Sequence, residues 1–287
     1  MTSDEIRRRF LSFFKARGHA VLPSASLVPE NDPTVLFTTA GMQPLIPYLM
    51  GEQHPQGDKL VSIQKCVRTG DLEDIGDNRH FSFFEMMGNW SLGSYFKDEA
   101  ITWSYQFLTS KSEGLGLDPN RLYVTCFEGD TNATKDEKSA EIWFSLGIPK
   151  SRIYFLGAED NWWSPGDSGP SGPDTEMFYD MTKKGLGDLK KHEFLNAMQR
   201  EDVIEIWNDV FMEFQKKDGK VIGKLKQQNV DTGAGVERIT AVMQRKQTAY
   251  ETDLFESIMK KIDDFSMIDN MKQKRIVADH IRTSVFL

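Results

Sequence analysis

Apolar residues in this chain recur with two rhythms, one helical and one extended. Ile6, Phe10, Phe13 and Phe14 share one face at helical spacing. Ser3 or Asp4 is placed to cap that helix, which should run to Arg17 and stop at Gly18. Turn-forming residues from Pro23 to Pro33 predict a loop, and Val35 to Thr39 then predicts a buried strand. Ala40-Gly41-Met42 should lead into a helical or irregular piece reaching Met50. Lys59 to Val67 and Phe81 to Met87 are strand-like and flank the charged stretch Thr69 to His80, so they predict a hairpin with a long polar tip. Helices are expected from Asp98 to Leu108 and from Lys135 to Leu146, and strands from Arg121 to Phe127 and from Ile153 to Leu156.

In the second half, Trp162 to Asp174 is rich in Gly, Pro and Ser and predicts a loop, followed by a strand over Thr175 to Tyr179. Lys183 to Lys191 reads as a charged surface turn. Val203 to Gln215 fits a helix by spacing and a strand by its β-branched residues, with Lys217-Asp218-Gly219-Lys220 as a hairpin turn after it. Helices are expected over Val236 to Met243, Leu254 to Ile262 and Lys274 to Leu287. Strand–loop–strand units mixed with isolated helices, lacking a regular β–α–β alternation, predict an antiparallel α+β domain.

Composition narrows the class. The 287 residues are 39% hydrophobic and 27% charged, which suits a globular protein with ample core material. A net charge of −8 argues against broad, nonspecific nucleic-acid binding by this piece. Cys66 and Cys126 stand apart, so neither a disulfide framework nor a zinc ribbon is expected, and a cytoplasmic setting fits. No stretch approaches the roughly 18 apolar residues of a membrane helix. The final helix stays apolar to Val285-Phe286-Leu287, which reads as a chain cut within a larger protein and compatible with a monomer in this form.

Three stretches carry candidate chemistry. Arg68, at the end of a strand, can meet a planar anion with two parallel hydrogen bonds, and Arg79 and His80 lie on the return side of the loop. Glu85 sits inside the apolar run Phe83-Phe84-Glu85-Met86-Met87 and needs a partner or a ligand. In Val230-Asp231-Thr232-Gly233-Ala234-Gly235-Val236-Glu237-Arg238-Ile239 the glycines permit close backbone approach. Asp160 to Glu176 is a rigid Pro/Gly loop with Trp162 and Trp163 as walls, and Asn208 adds an amide on an apolar element. Each has a plain structural alternative. Arg68 and Glu85 can be a scaffold ion pair, the glycines a strand-to-helix turn, and the tryptophans core.

Taken together and in order, these segments resemble the N-terminal catalytic portion of the alanyl-tRNA synthetase family, within the class II aminoacyl-tRNA synthetases. Asn31 to Met42 is similar to the family's first motif region, Gln64 to Phe96 to its second and Val230 to Ile239 to its third. Ile276 to Arg282 resembles the start of its helical tRNA-recognition domain, which places a catalytic domain at 1–243 and a truncated helical domain at 244–287. The resemblance implies an antiparallel sheet flanked by helices, and it favours a strand for Val203 to Gln215. It implies ATP with Mg2+, L-alanine and the acceptor stem of the alanine tRNA as substrates. Arg68 and Arg238 are the implied catalytic residues. For ATP it implies Arg68, Arg79, His80, Phe84, Glu85, Glu176, Gly235 and Arg238, with Glu176 as a weak magnesium contact. For alanine it implies Arg68, Trp163, Asn208, Val230, Asp231 and Gly233, with Val230 and Gly233 keeping the pocket small. Where the family commonly has Gly-Pro-Cys-Gly-Pro-Cys-Thr-Glu, this chain has Gly169-Pro170-Ser171-Gly172-Pro173-Asp174-Thr175-Glu176, which argues further against a metal site. A non-catalytic synthetase-like binder and a ligase acting on another acceptor are the rival readings.

Overall fold

The structure is a computed structural model that describes residues 1–29, 35–70, 72–267 and 269–287. Asn31 to Thr34, the start of the first motif region, lie outside the described residues. Strands β1 (Ala20–Val21), β2 (Lys59–Val67), β3 (Phe83–Leu92), β4 (Leu122–Phe127), β5 (Ile153–Leu156), β6 (Trp162–Trp163), β7 (Gly169–Asp180), β8 (Val203–Lys217) and β9 (Lys220–Gly235) follow the chain. They join in the order β1-β2-β3-β9-β8-β7-β4-β5, with β6 paired on β7. The centre is antiparallel, as the pattern predicts. The outer pairs β1/β2 and β4/β5 are parallel, so the α+β sheet is mixed at its edges.

Helix α1 (Ser3–Lys15) buries Ile6, Phe10, Phe13 and Phe14, the face its spacing predicts. Its cap is Thr2, one residue before the expected pair, with the hydroxyl accepting from the Glu5 N–H at 3.2 Å. Phe10 and Phe107 pack edge to face 5.5 Å apart, which ties α1 to α3 (Lys97–Thr109). Helix α2 (Ile46–Leu49) is short, and α4 (Glu137–Ser145) closes the same core through Ile142 and Trp143. Helix α5 (Ala158–Asn161) precedes β6. Helix α7 (Val236–Gln244) leaves β9 directly, and α8 (Glu256–Phe265) and α9 (Met271–Phe286) pack on Phe81 through Phe255, Ile262 and Ala278. Among the described residues, no helix is long and apolar enough to cross a membrane.

Three expectations fail for local reasons. Val35 to Thr39 is not a strand, because Leu36 points to solvent at 80% exposure. The segment instead bridges neighbours, Thr38 donating to the Leu27 carbonyl and accepting from the Val67 N–H. The Pro/Gly-rich stretch from Gly169 to Asp174 is not a loop but the first half of β7, with a register shift between Ser171 and Asp174. Gly172 makes that pairing possible: a Cβ there would lie 1.9 Å from the Phe211 carbonyl oxygen. Helix α6 (Lys191–Gln199) was not expected, since only Phe194 and Ala197 of its residues are buried. Val203 to Gln215 resolves as strand, paired in a hairpin whose turn places Asp218 and Gly219 at φ of 50° and 77°.

Candidate functional site

Alternation along the strands assigns every side chain to one face of the sheet. Met87 of β3, Trp207 and Phe211 of β8, and Val230 and Ala234 of β9 join α1, α3 and α4 in the main core. Their neighbours in sequence must therefore face the other way. Register then brings Met86 opposite Gly235 and Trp90 opposite Asp231, with Asn208 opposite Gly233 and Glu176 opposite Asn208. This second face carries Phe84, Met86 and Trp90, then Asp231, Gly233 and Gly235, then Asn208, and finally Asp174 and Glu176. Met42, Leu45, Leu49 and Trp163 cover part of it, packed with Trp90, Leu92 and Val210.

Asp231 lies on the floor of this face at 8% exposure. The Trp90 indole N–H donates to its Oδ1 at 2.6 Å. Burial outweighs that bond and pushes the carboxyl up to about 7. The indole lies across glycines: a Cβ at Gly88 would come 2.5 Å from Trp90 and one at Gly41 2.9 Å. Gly233 and Gly235 do something different. Neither has a positive φ. A Cβ at Gly233 would meet only the Met86 side chain within 4 Å among the described residues, and one at Gly235 nothing. They are not turn residues; they lower the floor beside Asp231.

Next to this hollow lies a carboxylate–amide cluster. The Asn208 Nδ2 group donates to Asp174 Oδ2 at 3.1 Å and reaches Glu176 Oε1 at 3.5 Å. Asn161 Nδ2 donates to Asp174 Oδ1 and to Thr125 Oγ1, each at 2.9 Å. The Asn208 Oδ1 atom is buried with no hydrogen-bond partner among the described residues. Burial raises Asp174 to about 7 against the pull of both amides. Glu176 is raised well above the usual range, by burial first and then by the charges of Glu205, Asp174 and Asp160. Arg238 pairs with Glu205, whose charge raises its pKa further.

Arg68 donates through Nε to the Thr39 carbonyl at 3.0 Å, and its guanidinium lies 4.9 Å from the centroid of the Phe84 ring. It does not pair with Glu85. A cleft of about 1440 Å³ opens beyond Glu176, Glu205 and Arg238 and has Arg79 on its wall. Arg79 is held by Glu201 at 3.0 Å, and the His80 ring by Asp77 at 2.7 Å. The structure thus places Arg68 and Phe84 together, Asp231 and Gly233 beside Asn208, and Glu176 near Arg238. Trp163 stands at the edge, paired opposite Gly172.

Two candidate residues face away. Val230 is fully buried on the helix-covered face and cannot line the hollow that Asp231 floors. Glu85 also points to that face, where Arg7 pairs with it and Arg282 lies 3.5 Å away. Its scaffold alternative is correct in kind, with different partners. Sequence reasoning missed Trp90 and Asp174. Trp90 stands in the quoted second motif, but only the β3/β9 register reveals its bond to Asp231. Among the described residues, no group of His, Cys, Asp and Glu is arranged to hold a metal. Cys66 and Cys126 are buried free thiols, each pushed up to about 12 by burial.

An arginine over an aromatic ring, an acid-and-amide hollow and an arginine on the helix after β9 sit on one antiparallel face. The sequence profile described as tRNA synthetases class II (A) matches residues 5–287. The chain belongs to the class II tRNA synthetases. Over its whole length it is 51% identical to an alanine–tRNA ligase of Treponema denticola, covering 48% of that protein. It is likewise 45% identical to one from Borrelia hermsii and 44% identical to one from Rubrobacter xylanophilus, covering 49% and 33% of them. The chain thus spans about half the length, or less, of these relatives.

Proposed function

We propose that this class II synthetase chain activates L-alanine with ATP, forming alanyl-adenylate and pyrophosphate, and passes the alanyl group to the 3′ end of alanine tRNA. The similarity to alanine–tRNA ligases supports the amino acid and the tRNA. The observation that carries the amino-acid site is the hollow itself: buried Asp231 and the unpartnered Asn208 Oδ1 are acceptors next to a glycine floor. A substrate ammonium would supply the donor that Asn208 Oδ1 lacks among the described residues and a second donor for Asp231 beside Trp90. A small substrate side chain would face Trp90, Met86 and Trp163.

In activation, an alanine carboxylate oxygen attacks the α-phosphorus, and the bond from that phosphorus to the bridging oxygen breaks as pyrophosphate leaves. The nucleophile is already ionised, so no general base is required. The barrier falls through placement and through positive charge aimed at the developing centre. Arg68 is assigned to the α-phosphate and alanine carboxylate, Phe84 to one face of the adenine, and Arg238 to the other face and the terminal phosphate. Gly235 gives the nucleotide room, and Arg79 and His80 are assigned to the phosphate side.

Magnesium enters as the ATP complex. Glu176 is its candidate protein ligand, and the excess of carboxylate over arginine around Glu205 suits a cation. Phosphates supply most of the magnesium shell, so a protein cage is not needed. Alanine-dependent ATP–pyrophosphate exchange tests the proposal. Exchange is expected with alanine and, more weakly, with glycine and serine, because one methyl discriminates by only about 1–3 kcal/mol. No exchange with any of the three would refute it.

A further inference from the structure

We propose that Asp174 is a positioning residue for the amino acid, acting through Asn208. The inference rests on the amino-acid reading of the hollow given above. Asp174 is 2% exposed, and each of its oxygens accepts from an amide, Oδ1 from Asn161 and Oδ2 from Asn208. Asn161 is itself fully buried and anchored to Thr125. The carboxylate therefore has little freedom to turn.

The consequence lies at the far end of the Asn208 side chain. A primary amide has a donor end and an acceptor end of nearly equal shape, so its neighbours decide which end faces where. Above about pH 7 the Asp174 carboxylate is ionised and only accepts, and it therefore selects the NH2 end. Asp174 on β7 takes that end, with Glu176 Oε1 as a long second acceptor. The carbonyl end is left turned away from those acceptors. There it is buried and has no partner among the described residues. The β9 residue paired with Asn208 is Gly233, whose missing side chain leaves the approach open. Asp231 lies two residues earlier on the same face. Asn208 Oδ1 and Asp231 thus offer acceptors on adjacent strands to one ammonium group.

With the opposite amide orientation, the NH2 group would face the ammonium and repel it. Asp174 sets the polarity of the hollow without touching the substrate. A neutral amide at position 174 can donate or accept and so cannot impose one orientation on Asn208.

Alanine-dependent pyrophosphate exchange on the chain as it stands tests this with four variants. Asn208→Ala and Asp231→Ala report on the hollow itself, and both should raise the alanine KM. Asp174→Asn should raise the alanine KM about 10- to 100-fold, the scale of a hydrogen bond to a charged group. The ATP KM should stay within about twofold, which also shows that the fold is intact. The swapped variant Asp174→Asn with Asn208→Asp restores an amide–carboxylate pair and directs a carboxylate oxygen at the ammonium. It should recover most of the lost affinity. The inference is overturned if Asp174→Asn leaves the alanine KM unchanged. It is equally overturned if both KM values rise together without recovery in the swap, since Asp174 would then only support the strand. If Asn208→Ala and Asp231→Ala leave the alanine KM unchanged, the amino-acid reading fails first and this inference falls with it.

Discussion

The two faces of the central sheet both bury acids, and they treat them differently. On the helix-covered face, Glu85 pairs with Arg7, and Glu237 pairs with Arg282 at 2.7 Å. Arg282 also lies 3.5 Å from Glu85, joining α9 to the residue after Phe84 and the residue before Arg238. Asp209 on this face has no cation among the described residues, yet Ser104, Trp207 and Thr232 all donate to it. On the open face, Asp231 has one indole donor, and Asp174 has amides. No ion pair reaches Asp231, Asp174 or Glu176 among the described residues. Charge compensated inside the fold is scaffold. An uncompensated buried acid is costly unless it holds a proton or a ligand completes it, and that contrast supports the proposed amino-acid site on the open face.

The comparison breaks first, and most strongly, at Arg282. Arg282→Gln leaves buried Glu237 without its cation, while Glu85 keeps Arg7, and should destabilise the protein by about 3–5 kcal/mol. Urea denaturation measures this; a change under about 1 kcal/mol would mean the closed-face acids do not need the pair. Arg68→Ala should do the opposite, leaving the denaturation midpoint near that of the parent. Its exchange rate should fall about 10²–10³-fold, as for other transition-state charge donors. A variant with comparable exchange would remove Arg68 from the reaction.

Asp231 sharpens the contrast through pH. Its folded pKa of about 7 stands above the ordinary 3.8, so the folded state holds the proton longer. The associated stability is full at pH values below the ordinary pKa and is lost as pH rises through about 7. Asp231→Asn should therefore melt higher than the parent at pH 8, by about 2–4 °C per kcal/mol recovered, with the gap narrowing as pH falls and closing only below the ordinary value of 3.8. Binding runs the other way, since only the ionised carboxylate attracts an ammonium. The alanine KM should rise on acidification below about pH 7 while the ATP KM stays level, and Asp231→Asn should flatten that profile. A pH-independent alanine KM in the parent would separate Asp231 from the ammonium.

The smallest effect is expected at Gly233. A Cβ there meets the Met86 sulfur at 3.5 Å, an ordinary contact, so Gly233→Ala should change stability by about 0.5 kcal/mol or less. Its alanine KM should nevertheless rise, because the added methyl enters the hollow. Thermal melts and exchange kinetics on one preparation read both. Gly172→Ala on β7 is the control, and should destabilise strongly because its Cβ would overlap the Phe211 carbonyl.

Much of the fold was legible because most elements carry their own signal. Helix α1 follows from four apolar positions, and β2 from Leu60, Val61, Ile63 and Val67. The β8/β9 turn follows from Asp218-Gly219. The failures share a cause. At Val35 to Thr39 a short apolar run mimicked a strand, and at Gly169 to Asp174 the turn-forming residues belong to a bulged strand held by a neighbour. Local composition carries no information about what lies across the backbone.

The site divides the same way. The sequence by itself determined which chemical groups are available, Arg68, Asp231 and Arg238 among them, and their order along the chain pointed to a class of enzyme. Tertiary structure decided which face each group occupies, sending Val230 and Glu85 to the scaffold side and joining Trp90 to Asp231 and Asp174 to Asn208. The physical reason is the two-residue period of a strand combined with pairing register. One step along the chain reverses a side chain's face, and only the neighbouring strand settles what it meets there.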